Sequence, residues 1–289
     1  MEASASLRGS KASGFFEIAR IPNCIMMGLA VIIGEFMSLG TAVPIYSVVA
    51  GFLVGFFLVA GSMVINDTLD TEIDRINNPK RPIPSGRVSK TEAAAFAAIT
   101  LALGLSLAFV LSVVNFVIAV LAVSLMLYYN RFGKKTGLPG NAVVSANLAI
   151  PFIFGGAIGD INNTLYIFAL LAFLAGMGRE VIKGMADIAG DSKRGVRTLA
   201  VSKGLGTAAK TGALFFVAAV LLSVIPIALR MVSWFYVPIV SVCDMGFLYS
   251  SYSIVKNASP KNALRSKNQA LVWMLLGLIA FIAGGFAIG

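Results

Sequence analysis

Asn66, Asp67, Asp70 and Asp74 follow directly on an apolar run that begins near Tyr46. On a continuing helix Asn66, Asp70 and Asp74 stack at i, i+4 and i+8, and Asp67 joins the same side three residues before Asp70. Carboxylates stacked this closely repel one another unless a cation lies between them. Every donor is an oxygen, so the ladder predicts Mg²⁺, a hard ion that keeps waters and shares its shell with phosphates. The chain contains no His, which excludes His-based triads, His-ligated haem and His–zinc sites.

A second set has the same rhythm. Lys183, Asp187 and Asp191 fall at i, i+4 and i+8, with Arg179 one turn earlier. One such cluster alone reads as ordinary juxtamembrane charge. Two of them, in a chain with only 13 acids, point to a shared task. Facing carboxylate pairs can hold Mg²⁺ ions that bridge a diphosphate, while Lys and Arg neutralise what charge remains. An allylic diphosphate ionised there needs an apolar, water-poor pocket so that an acceptor captures the carbocation-like species. Ionisation of this kind does not depend on an imidazole base.

The elements that carry these groups are membrane helices. The 289 residues are 58% hydrophobic and 12% charged, with mean hydropathy +0.88, against about 25% charged residues in a soluble domain. Apolar stretches reach the roughly 20 residues a bilayer-crossing helix needs, without the alternation of a barrel strand. Nine spans are expected, over 21–39, 45–65, 91–113, 115–130, 141–158, 163–182, 208–229, 234–255 and 268–288. The expected fold is all-α, a polytopic bundle around a central cavity with a polar cap on one face. A disordered tail over 1–14 precedes a single domain over 15–289. Cys24 and Cys243 stand in apolar surroundings at no metal-ligand spacing and are read as packing residues.

Loop charge sets the orientation. Of the 23 Lys and Arg, all but Arg230 fall on one side of this topology, which the positive-inside rule makes cytoplasmic. The N-terminus is therefore expected inside and the C-terminus outside, in a multi-pass cell-membrane protein whose site faces the cytoplasm. That asymmetry accounts for the net charge of +10 without any nucleic acid.

The motif residues also carry a resemblance. Asn66-Asp67-x-x-Asp70-x-x-x-Asp74, with the Asn78-Pro79-Lys80-Arg81-Pro82-Ile83-Pro84-Ser85-Gly86 run behind it, resembles the first signature of the UbiA-type intramembrane prenyltransferases. Asp187-x-x-x-Asp191, with Lys193-Arg194-Gly195 behind it, resembles the second. Within the family, the stretch Gly178 to Lys183, Arg20-x-x-Asn23 and Gly140-Asn141 are similar to the archaeal digeranylgeranylglyceryl phosphate synthases. The resemblance implies nine helices and transfer of a geranylgeranyl group from its diphosphate to geranylgeranylglyceryl phosphate in archaeal ether-lipid synthesis. Gly184, Ala186 and Ala189 depart from it, standing where the family tends to be acidic.

Asn66 and Asp70 are assigned to one metal ion and Asp187 and Asp191 to the other, with Asp67 and Asp74 supporting. Two Mg²⁺ ions bridged by diphosphate are the expected cofactors. Asp70, Asp74, Asp187 and Lys183 are the candidate catalytic residues. Candidate substrate contacts are Asn23, Lys80, Arg81, Arg179, Lys183 and Tyr129, the partners being a prenyl diphosphate, a lipid-like acceptor and membrane lipid. Rival readings are a family enzyme with an aromatic acceptor and a cation-coupled transporter, although a transporter favours acids nearer the midplane.

Overall fold

A computed structural model describes residues 10–193 and 195–285. It is helical, with no strand among the described residues. The long helices are α2 (Ile21–Leu39), α3 (Ile45–Leu69), α5 (Lys90–Leu111), α6 (Val113–Arg131), α7 (Leu138–Gly156), α8 (Asn163–Ala186), α11 (Leu205–Ser223), α13 (Tyr236–Lys256) and α14 (Pro260–Gly285). Between them lie short helices: α1 (Lys11–Ala19), α4 (Thr71–Asn77), α9 (Ile188–Lys193), α10 (Leu199–Lys203) and α12 (Ile225–Ala228).

Among the described residues, 8 helices are long and apolar enough to cross a membrane. The ninth expected span is the 21-residue α13, which falls outside that group because Asp244, Lys256 and several serines dilute its apolar character. Helix α1 starts at Lys11, so residues 11–14, expected in the tail, are helical; residues 1–9 lie outside the described residues. The turn expected near Asn115 comes at Ser112, whose backbone is extended. The Ser112 hydroxyl accepts the Asn115 amide at 3.0 Å, which starts the next helix at once.

The chain forms two compact units, one of residues 1–29 and 46–123, the other of 30–45 and 124–289. In lipid, apolar contact gives little net drive for helices to associate, so small residues and close packing must hold them. The pattern here follows that rule. Ala97, Ala208 and Ala270 are buried, whereas Val110, Leu214 and Leu221 are exposed. In the first unit Gly55 lies against Gly28, a Cβ on it standing 3.1 Å from the Gly28 Cα. In the second, a Cβ on Gly155 would stand 2.1 Å from the Val31 carbonyl oxygen, so α2 and α7 touch backbone to backbone. An aromatic stack backs this contact, with Phe168 and Phe281 3.9 Å apart at 9° and Phe152 edge-on to Phe281. Both cysteines are buried and free, as their apolar surroundings led us to expect.

Candidate active site

Helix α3 does not run straight through the first motif. Asp70 leaves helical geometry at φ −86°, ψ 3°, in the sparsely populated bridge region where active-site residues often sit. The bonding ladder nonetheless continues. The Asp70 amide donates to Asn66 O at 3.0 Å, Asp74 to Asp70 O at 2.8 Å and Asn78 to Asp74 O at 2.8 Å. The stacking expected of Asn66, Asp70 and Asp74 therefore survives a joint that spacing alone did not reveal.

Asp67 and Asp74 are buried and have arginine partners. Arg20 donates to Asp67 Oδ1 at 2.7 Å. Arg81 donates to Asp74 Oδ2 at 2.6 Å and stands 3.6 Å from Asp67 Oδ1. Burial of a carboxylate demands such compensation. These two acids, expected as supporting metal ligands, each carry guanidinium contact on one oxygen, Oδ1 of Asp67 and Oδ2 of Asp74. Asn66 and Asp70 lie one turn apart and half-buried, with the Asn66 amide donating to Asp70 Oδ2 at 3.3 Å.

The basic loop after α4 is packed down rather than loose. Ile83 and Val88 join a buried cluster with Ile18, Val64, Ala93 and Ala97, and Gly86 supplies the positive φ of 77° that the turn requires. That packing fixes Arg81 beside Asp74, whereas Lys80 is exposed. Arg20, which spacing did not single out as a site residue, occupies the left-handed region at φ 54°. This turns α1 away from α2 and lets the guanidinium reach Asp67. Asn23 is half-buried one turn further on, its amide donating to Arg20 O at 2.8 Å. Below the motif, Lys90 donates to Glu72 at 2.8 Å and, with Arg75, holds that carboxyl below the usual carboxylate range.

The second motif repeats the joint. Asp187 closes α8 at φ −95°, ψ 6°. Its amide donates to Lys183 O at 3.0 Å, and Asp191 donates back to Asp187 O at 3.0 Å. Asp187 is exposed and Asp191 half-buried; Arg194 lies outside the described residues. Gly184, the departure from an acidic position, faces α10: a Cβ there would meet the Thr198 Cβ at 3.3 Å.

A second residue that sequence reasoning passed over is Glu180. It is 4% exposed, accepting Arg179 Nη1 at 2.8 Å and Lys183 Nζ at 2.9 Å. Tyr129, half-buried at the end of α6, is near enough to Lys183 to act on its charge. A carboxylate inside a span, flanked by bases at i−1 and i+3, was the available signal. Within the spans, Asp244 accepts Ser223 Oγ at 2.8 Å and Glu35 is fully buried.

Among the described residues no three acids converge closely enough to enclose a cation by themselves. Mg²⁺ does not require that, because one or two carboxylates with substrate phosphates and waters suffice. The pairs Asn66–Asp70 and Asp187–Asp191 are oxygen donors one turn apart and fit that requirement. Asp67 and Asp74 stand beside the first pair as ion-paired carboxylates.

Fold and site together define a multi-pass, all-helical membrane protein with paired aspartate joints and ordered basic residues. The UbiA prenyltransferase family model matches residues 27–279. The digeranylgeranylglyceryl phosphate synthase of Thermococcus sibiricus is 35% identical over 276 residues, covering 95% of this chain and 98% of its own. That of Methanopyrus kandleri is 36% identical, covering 93% and 98%. A solved structure described as that of a digeranylgeranylglyceryl phosphate synthase superposes with TM-score 0.78 at 33% identity, covering 96% of this chain and 99% of its own. A UbiA homolog from Archaeoglobus fulgidus, solved with GPP and Mg²⁺, shares the fold at TM-score 0.67 and 18% identity. The chain belongs to the UbiA prenyltransferase family.

Proposed function

We propose that the chain transfers a geranylgeranyl group from geranylgeranyl diphosphate to a glycerol hydroxyl of geranylgeranylglyceryl phosphate. The carbon–oxygen bond to diphosphate breaks, an ether bond forms, and the hydroxyl proton leaves with the released diphosphate. The observation that carries this reading is the near full-length likeness to relatives named for that activity, at 35% and 36% identity.

Asn66 and Asp70, with Asp187 and Asp191, are the groups that hold Mg²⁺, as their oxygen donors and spacing suit. Mg²⁺ bound in a homolog of the same fold together with GPP supports this. When bound, the metal supplies charge neutralisation for the departing diphosphate. Every other task falls to side chains of the chain. Arg81, anchored by Asp74, and exposed Lys80 present positive charge at the first motif, while Arg179 and Lys183 do so at the second. Arginine suits a phosphoryl oxyanion because its planar fork donates in pairs. Arg20 is held by Asp67 and orders the entry to α2, beside Asn23. Tyr129 flanks Lys183. Asp70 and Asp187 set where their neighbours point, through the bridge-region joints. The apolar helices exclude water, so the acceptor captures the allylic carbon. The site faces the cytoplasm, with the N-terminus on the same side, in line with the charge asymmetry of the loops.

Radiolabelled geranylgeranyl diphosphate, incubated with the purified protein, Mg²⁺ and each acceptor in turn, tests the reading. Label should move to geranylgeranylglyceryl phosphate and not to hydroxybenzoate, naphthoate or porphyrin-type acceptors. Transfer to an aromatic acceptor alone would overturn the choice of acceptor.

A further inference from the structure

Lys267 is a basic residue that neither motif includes, and spacing placed it in a loop. Helix α14 begins at Pro260, so Lys267 instead stands two turns into a helix. Its Nζ lies 3.8 Å from Asp187 Oδ1, with the side chain only 18% exposed. It is close enough to Glu180 to act on that carboxylate as well. Arg179, Lys183 and Lys267 thus surround Glu180 and Asp187, three cations against two carboxylates. A lysine held mostly out of water beside two other cations is costly unless an anion completes the set.

Two further donors remain on the same pair of helices. Arg179 Nε on α8 and Ser266 Oγ on α14 are buried and have no hydrogen-bond partner among the described residues. Buried donors of this kind are rare and call for an acceptor. Glu180 accepts from Arg179 Nη1 and Lys183 Nζ but bonds to neither Arg179 Nε nor Ser266 Oγ. What it does is remove the rotamer freedom of two long side chains before anything binds.

We propose that Arg179, Lys183 and Lys267 form a seat for a phosphoryl group, with Lys267 in direct contact and Glu180 as the positioning residue that aims the other two. The ligand class is a phosphate monoester or diphosphate of a lipid substrate. The assignment rests on the prenyl-transfer reading for its biological ligand, but oxyanion binding itself is independent of turnover.

The test therefore begins without turnover. The full-length protein in detergent, free of divalent metal, is titrated with inorganic phosphate and inorganic pyrophosphate while thermal unfolding is followed. The native chain should be stabilised by at least one of them. Lys267→Ala should weaken that binding by about tenfold, the weight of one charged hydrogen bond, and Lys267→Arg should restore most of it. Glu180→Asp, which keeps the charge but shortens the reach to Arg179 and Lys183, should weaken binding with both cations still present. Should Glu180→Asp fail to fold, the Lys267 variants decide alone. Binding by Lys267→Ala within about twofold of native, or no stabilisation of the native chain, overturns the seat.

Steady-state transfer then separates the two sources. A raised KM for the glyceryl phosphate acceptor in Lys267→Ala assigns the seat to the phosphomonoester, and a raised KM for the prenyl diphosphate assigns it to the donor. If the native chain transfers nothing, the prenyl-transfer reading fails while the titration still decides the seat.

Discussion

Asp70 and Asp187 occupy the same backbone conformation, at φ −86°, ψ 3° and φ −95°, ψ 6°. Each ends a long helix, donates its amide to the residue four before it, and accepts from the acid four after it. A short helix follows in both cases, Thr71–Asn77 and Ile188–Lys193. The two motifs thus share more than spacing, since one local device, a long helix jointed at an aspartate, serves both.

Replacing either joint residue should abolish transfer without unfolding the protein. Asp70→Asn and Asp187→Asn keep shape and hydrogen-bonding capacity, yet remove a charge proposed to hold Mg²⁺. Pyrophosphate release should fall by about 10²-fold or more, while the melting temperature stays close to native. Release at the native rate in both variants would remove the metal assignment.

The Arg20–Asp67 pair should be worth more as a pair than either residue alone. Asp67 is buried and Arg20 about a third exposed, so Arg20→Met takes the nearest cation from a buried carboxylate and leaves it Arg81 at 3.6 Å, at a cost of roughly 1–3 kcal/mol, below the range for a fully buried pair. Asp67→Asn in the Arg20→Met background should recover part of that loss. Met keeps the left-handed backbone strain of a non-glycine residue, so the double-mutant cycle isolates the ion pair.

Two glycines should fail for different reasons. Gly155→Ala places a Cβ 2.1 Å from the Val31 carbonyl oxygen and should cost about 1–3 kcal/mol through overpacking. Gly86→Ala meets nothing within 4 Å and pays only for its positive φ, about 1–2 kcal/mol. Thermal melts in one detergent compare them. Repacking mutations at Val31 should leave the Gly86 deficit untouched.

Glu72 predicts an acid limb. Lys90, and then Arg75, hold its carboxyl below the ordinary value, so its folded form releases the proton more readily than the unfolded chain does. Its contribution is present above the unfolded value, near pH 4.3, and is lost as the pH falls through the folded one. Glu72→Gln should melt below native at neutral pH, and the gap should close in acid. Because the pair is exposed, added salt should shrink the gap as well.

The spans were legible because a bilayer demands about 20 apolar residues and the chain supplies little else. Helix ends were less so. Lys261, Arg265 and Lys267 read as loop charge, yet Asn262 bonds back to Ser253 and Asn257 and α14 forms from Pro260 onward. Charge at a helix end carries no mark of where the helix begins. The acids of both motifs were legible from spacing, but their partners were not. Arg20 and Asp67 lie 47 residues apart, and no local rule pairs them. Arg81 sits seven residues from Asp74 and reached it only through the packing of Ile83 and Val88. Glu180 was in plain view between two bases, where its carboxylate made Arg179 and Lys183 a set.

The left-handed turn at Arg20 also bears on how the protein can be handled. Its guanidinium ties the end of α1 to Asp67, and Ser10 caps the start of that helix by accepting the Ser13 amide at 3.2 Å. Trimming the amino-terminal arm beyond Ser10 would therefore loosen an aspartate of the first motif far along the chain. A purification handle belongs ahead of Ser10, and a shortened form that retains Ser10 should keep the motif intact.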